Sequence, residues 1–211
     1  RHNVPGTMKV LVFESPEQAA DRVAVEILAA LLEKPSLVLG LATGSTPIGV
    51  YSRLIQAHQE KGRDFSQVTT FNLDEYLDLP PDHEQSYRHF MDKHLFGGIN
   101  VRAPNVHFPP SHGTDLAEQC KDYEKRIVDA GGIDIQILGI GSNGHIGFNE
   151  PTSSLASRTR VKTLAEKTLR DNSRFYRPGE KPPQLASTMG IGTILDARKI
   201  LLQAFGSKKA D

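Results

Sequence analysis

Three times along this chain a short apolar run ends abruptly in a polar motif, and that rhythm restricts the folds open to it. Ser36–Leu41 runs into Thr-Gly-Ser-Thr-Pro47, Gln67–Phe71 into Asn-Leu-Asp-Glu-Tyr76, and the run from Ile133 into Gly-Ser-Asn-Gly-His-Ile-Gly-Phe-Asn-Glu150. Between them lie stretches with helical spacing of apolar residues: Ser15–Leu32, Pro47 to about Lys61, Gln85–Leu95 and Leu116–Ala130. Met8–Phe13 reads as a first strand, Ile191–Ala197 as a short helix and Lys199–Phe205 as a last strand. Strands alternating with helices predict an α/β fold of three layers, Rossmann-like, with a mostly parallel sheet covered by helices on both faces. Ligands in such sheets sit at the carboxyl ends of the strands. The three polar motifs therefore converge on one edge.

Each motif has a plain reading beside a chemical one. Gly139, Gly141 and Gly144 satisfy G-x-G-x-x-G, yet Pro151 interrupts where a dinucleotide site needs a clean helix. Thr43, Gly44, Ser45 and Thr46 can present backbone N–H groups to an oxyanion, or can be an ordinary helix start with Thr46 as N-cap and Pro47 at the first position; spacing alone leaves both open. Asp74 and Glu75 read as a solvated acidic turn or as a base placed at a strand end. His145 has Asn143 and Glu150 nearby, either of which can bond one ring nitrogen and leave the other free to take a proton.

Composition removes several classes of function. Lys plus Arg and Asp plus Glu are both 25, so no net field recruits nucleic acid or an anionic membrane. No apolar run approaches a membrane span. The single Cys120 forms no intrachain disulfide and suits a reducing, cytoplasmic setting. The histidines lack metal-ligand spacing, so no metal is expected, and no G-x-S-x-G elbow is present. Arg1–Thr7 reads as a tail or expression remnant.

The stretch GIGSNGHIGFNEP, with FNLDEY and TGSTP, resembles the signatures of the glucosamine-6-phosphate deaminases. The looser glycine-loop pattern is shared with the 6-phosphogluconolactonases. The resemblance implies an aldose–ketose isomerase (with hydrolase character) that converts glucosamine 6-phosphate and water to fructose 6-phosphate and ammonia, with no cofactor. It implies that Asp74 is the base, that Glu75 supports it, and that His145 opens the sugar ring with Asn143 and Glu150 orienting it. Some members carry aspartate where this chain has Asn143, which would leave Glu150 alone to stabilise an imidazolium. Thr43–Thr46, Arg174 and Lys209 would hold the substrate phosphate. Arg158, Arg160 and Lys162 alternate, so in an extended segment they share one face. In allosteric members the positions of Ser153, Arg160, Lys162 and Thr163 bind N-acetylglucosamine 6-phosphate between subunits, so an effector and a homo-oligomer are expected. Residues 8–211 are expected to form one domain that lacks the family's C-terminal portion. A lactonase, and a sugar-phosphate sensor without catalysis, are the competing readings.

Overall fold

The computed structural model of the chain describes residues 8–164, 166–173 and 175–206. Its centre is a five-stranded sheet: β1 (Val38–Leu41), β2 (Thr69–Asn72), β4 (Val106–His107), β5 (Ile135–Gly139) and β8 (Lys199–Gln203). The strand order is β4-β2-β1-β5-β8, and every neighbouring pair is parallel. Alternation sorts the side chains onto two faces. Leu39, Leu41, Ile135 and Ile137 pack with α1 (Pro16–Glu33) and α2 (Ile48–Lys61), whereas Val38, Phe71 and Leu138 pack with α4 (Leu116–Asp129) and α6 (Ile191–Leu195). Both faces of β1 are buried, which is why its residues form an uninterrupted apolar run.

Local chemistry sets the helix ends. The Ser15 hydroxyl accepts from the amide of Gln18, with Pro16 at the first position of α1, and Gly62 closes α2 at φ 64°. Asp115 caps α4 by accepting from the Glu118 amide.

A second, smaller sheet carries part of the site. β3 (Asp74–Tyr76), β7 (Leu185–Thr188) and β6 (Arg160–Thr163) run antiparallel in the order β3-β7-β6. The chain leaves the large sheet at Leu73, whose amide donates to Leu41 and whose carbonyl accepts from Met189. Glu166–Ser173 forms α5, and Tyr87–His94 forms α3.

Several expectations change. Met8–Phe13 is not a strand: among the described residues no neighbouring strand receives it, and Met8 and Val12 are 89% and 90% exposed. The Asn100–Pro110 connector contains the short edge strand β4. Asp74–Tyr76 is a strand of its own rather than a loop beyond a strand. Thr46 is not an N-cap, because α2 begins at Ile48 after Pro47 and has no side-chain cap. The three basic residues do not share a face. Arg158 precedes β6 and is drawn into an ion pair with Asp196, with Glu124 at 3.9 Å, so only Arg160 and Lys162 alternate on the strand.

Candidate active site

A cavity of about 800 Å³ opens at the carboxyl ends of the strands. Thr43–Thr46, Asp74, His145 and Glu150 all line it, so motifs from β1, β3 and the loop after β5 meet there. The aromatic side chains of Tyr76, Tyr87 and Phe148 form part of its wall, packed with ring centroids 4.7 to 6.2 Å apart.

The loop after β5 is shaped around His145. The Gly141 amide donates to the His145 carbonyl at 2.8 Å, and the Gly144 amide to the Gly141 carbonyl at 3.0 Å, with Gly144 at φ 84°. The imidazole lies directly over Gly141; a Cβ there would fall 2.1 Å from Cε1. His145 Nδ1 is 2.5 Å from Asn143 Oδ1, and Asn143 Nδ2 donates to Glu150 at 2.9 Å. The donor role of the Asn143 amide toward Glu150 leaves its oxygen facing His145, so Nδ1 carries the proton and Nε2 has its lone pair available. Glu150 therefore acts on His145 through Asn143, not directly.

Asp74 projects from β3 and is only 6% exposed. Burial, with the charge of adjacent Glu75 adding to it, pushes its carboxyl up to about 8. A carboxylate tuned to that range accepts a proton from carbon more readily than one at the usual value, while remaining partly ionised near neutrality. Strand β3 owes its position to β7, with Asp74 opposite Thr188.

Among the described residues no hydrogen bond occupies the amides of Gly44, Ser45 and Thr46, and Gly44 turns the chain at φ 91°. This is an open nest of donors at a helix start, suited to a phosphate. Thr46 lies close to Gly139, where a Cβ would stand 3.6 Å from its hydroxyl. Arg174 and Lys209, the two basic residues expected here, lie outside the described residues.

The expected second site gathers less tightly. Arg160 donates to the Asn149 side chain at 2.7 Å, while Ser153 sits on the turn after Glu150, its amide donating to the Glu150 carbonyl. Lys162 and Thr163 follow on β6. Sequence reasoning placed the coupling to the second site in the Asn149–Pro151 turn but not in the side chain of Asn149. Fully buried, it donates to the carbonyls of Ile146 and Met189 and accepts from Arg160, so it ties the histidine loop to β6 and β7. Its place inside the FNE stretch was the available signal.

No group of three His, Cys, Asp or Glu side chains placed to hold a metal occurs among the described residues. No helix among them is long and apolar enough to cross a membrane.

The chain is 58% identical over 204 residues to the glucosamine-6-phosphate deaminase of Hahella chejuensis, covering 97% of this chain and 78% of that protein. It is 50% identical to the protein of that name from a Thermoanaerobacter species, covering 97% and 81%. A solved structure described as a monomeric glucosamine-6-phosphate deaminase superposes with a TM-score of 0.87 at 43% identity, covering 92% of this chain and 81% of that one. The 6-phosphogluconolactonase of Thermotoga maritima, at 21% identity and a TM-score of 0.72, shares the fold, covering 95% and 84%. The model of the glucosamine-6-phosphate isomerases/6-phosphogluconolactonase family matches residues 14–211, and the chain belongs to that family.

Proposed function

We propose that this chain is a glucosamine-6-phosphate deaminase, an isomerase that also deaminates. The observation that carries the reading is a buried carboxylate, Asp74, facing the same cavity as His145 with its available Nε2. The substrate phosphate rests on the amides of Gly44, Ser45 and Thr46, with Thr43 beside them and with Arg174 and Lys209 supplying positive charge. His145 Nε2 takes the proton of the anomeric hydroxyl and returns it to the ring oxygen, which opens the ring to the aldehyde. Asn143 and Glu150 hold the imidazole for that transfer. Asp74 removes the C2 proton as the C1 oxygen takes up a proton, giving an enolamine, and then delivers a proton to C1 while an N–H proton is lost, leaving an imine at C2. Water adds to that imine, and ammonia leaves as the ketose forms. Calling the enzyme a hydrolase describes only this last use of water. A lactonase has no evident task for a carboxylate poised over a C2 hydrogen.

The same reading extends to regulation. Ser153, Arg160, Lys162 and Thr163 form an effector site for N-acetylglucosamine 6-phosphate in a cytoplasmic homo-oligomer. What supports the coupling is the bond from Arg160 to Asn149, next in sequence to Glu150. The solved relative described as monomeric is the counter-case.

The experiment is ammonia release from glucosamine 6-phosphate, run beside hydrolysis of 6-phosphogluconolactone. Ammonia without lactone hydrolysis is expected; the reverse would overturn the assignment. For the effector, calorimetry with N-acetylglucosamine 6-phosphate on wild type and on Arg160→Ala/Lys162→Ala should show binding lost in the double variant.

A further inference from the structure

Glu75 lies next to the proposed base but turns the other way, and the reaction scheme above gives it no task. It is 5% exposed, which is costly for a carboxylate unless its oxygens are satisfied. Three backbone amides do this. Tyr76 donates to Oε1 at 2.8 Å, Tyr87 to Oε1 at 2.9 Å and Arg88 to Oε2 at 2.9 Å. Tyr87 and Arg88 are the first two residues of α3, whose amides have no partner within the helix. The Ser86 hydroxyl accepts from the third, that of His89. Glu75 thus plugs the positive end of a helix with a charge from a neighbouring strand.

What this contact joins is specific. One end is β3, which carries Asp74; the other is Tyr87, whose ring lines the cavity and packs on Tyr76. The loop from Leu77 to Gln85 lies between them in sequence, so the covalent connection alone leaves their separation loose. We propose that Glu75 is a positioning residue of this active site: its carboxylate clamps the start of α3, and with it Tyr87, onto the strand that bears Asp74, and sets a negative charge beside that base. The inference rests on the reading of Asp74 as the base. The charge next to Asp74 acts in the same direction as burial, raising its carboxyl. Among the described residues the ionisable groups around the pair include Tyr76 of β3, Tyr51 of α2, Tyr87 of α3, Tyr123 of α4, Tyr176 and His112. Burial raises the phenols of Tyr51, Tyr87, Tyr123 and Tyr176.

The test is a pair of variants, E75Q and E75D, with H112Q as a control for the imidazole beside Glu75. Glutamine removes the charge and turns an N–H donor toward one of the three amides. Aspartate keeps the charge but is too short to reach both amides of α3. For E75Q, kcat is expected to fall roughly tenfold to a hundredfold, as for a small misplacement of reacting groups. KM should change much less. The acidic limb of the kcat/KM profile should move down by about one pH unit as the like charge disappears. For E75D, kcat falls while the limb stays. H112Q should leave the limb in place. A role confined to stability would lower the melting temperature of E75Q without moving the limb. Amide hydrogen exchange supplies a readout independent of turnover, with Tyr87 and Arg88 exchanging faster in both variants. Should E75Q fail to fold, E75D decides: wild-type kcat and exchange would overturn the clamp. A folded E75Q with wild-type kcat, limb and exchange would overturn the whole inference. An inactive wild type in which both variants speed exchange at Tyr87 would sink the deaminase reading and leave the clamp standing.

Discussion

The carboxyl of Asp74 carries opposite consequences for chemistry and for stability. Its folded value is raised to about 8, so between the ordinary carboxylate range and pH 8 the folded chain binds more protons than the unfolded one. Stability attributable to this group therefore falls as pH rises through that window and levels off above it. Asp74→Asn should lose deamination by roughly 10²–10⁴-fold, as for removal of a general base. The same variant should gain thermal stability over wild type, with a gap that is small near pH 4 and widest at pH 8, as followed by calorimetric melts. Gly141→Ala tests the histidine in a different way. A methyl 2.1 Å from the imidazole must displace it, so activity should drop at least tenfold as a reacting group is misplaced, while the melting temperature moves little because the loop lies at the surface. Asp74 and His145 could be named from the chain because their motifs resemble those of a known family; from the residues alone, Asp74 read as readily as part of a solvated acidic turn. The work of Glu75 could not, since its partners are backbone amides 12 and 13 positions away and any sequence would supply those.

At the scale of elements, strands with two buried faces and helices with caps were legible, because burial and capping leave marks in the residues themselves. The small antiparallel sheet was not. Leu185–Thr188 has one apolar residue at its start and then small or hydroxyl side chains, so nothing in it declares a strand; its pairing with Asp74–Tyr76 depends on contacts about a hundred positions apart. Met8–Phe13 errs in the other direction, since a short apolar run suggests a strand but a strand needs a partner. Asn149 fastens the histidine loop to the small sheet, through Arg160 of β6 and Met189 just beyond β7. Asn149→Ala removes three hydrogen bonds at a buried position and leaves Arg160 without that acceptor. Each orphaned group costs about 1–3 kcal/mol, so the variant should unfold at clearly lower urea concentration. Its residual activity should fall further than the loss of folded protein accounts for.

Taken whole, the molecule depends on one sheet whose two faces are filled by different helices, so damage on either face should be felt by all of it. Ile137→Ala, in a side chain 1% exposed at the centre of β5, should cost about 2–5 kcal/mol and shift the single unfolding transition seen by every probe. Leu32→Ala, at a position 61% exposed on α1, should stay within about 0.5 kcal/mol. The family resemblance ran the length of the chain, and the parallel architecture followed from the order of runs and motifs. Which strands are neighbours did not follow, because β1 lies between β2 and β5 only once the sheet has formed. That order bears on how the protein is made. Lys34 and Asp134, which bond across 100 positions, and Leu39 with its partner Ile135, place the middle of the sheet among the most distant pairings in sequence. On a translating ribosome, α1, β1, α2 and β2 emerge long before β5, and one edge of β1 must wait unpaired until Ile135–Gly139 is made. A growing chain arrested before Ile135 therefore presents that unpaired edge, and slowing synthesis between Leu41 and Ile135 lengthens the time it is exposed.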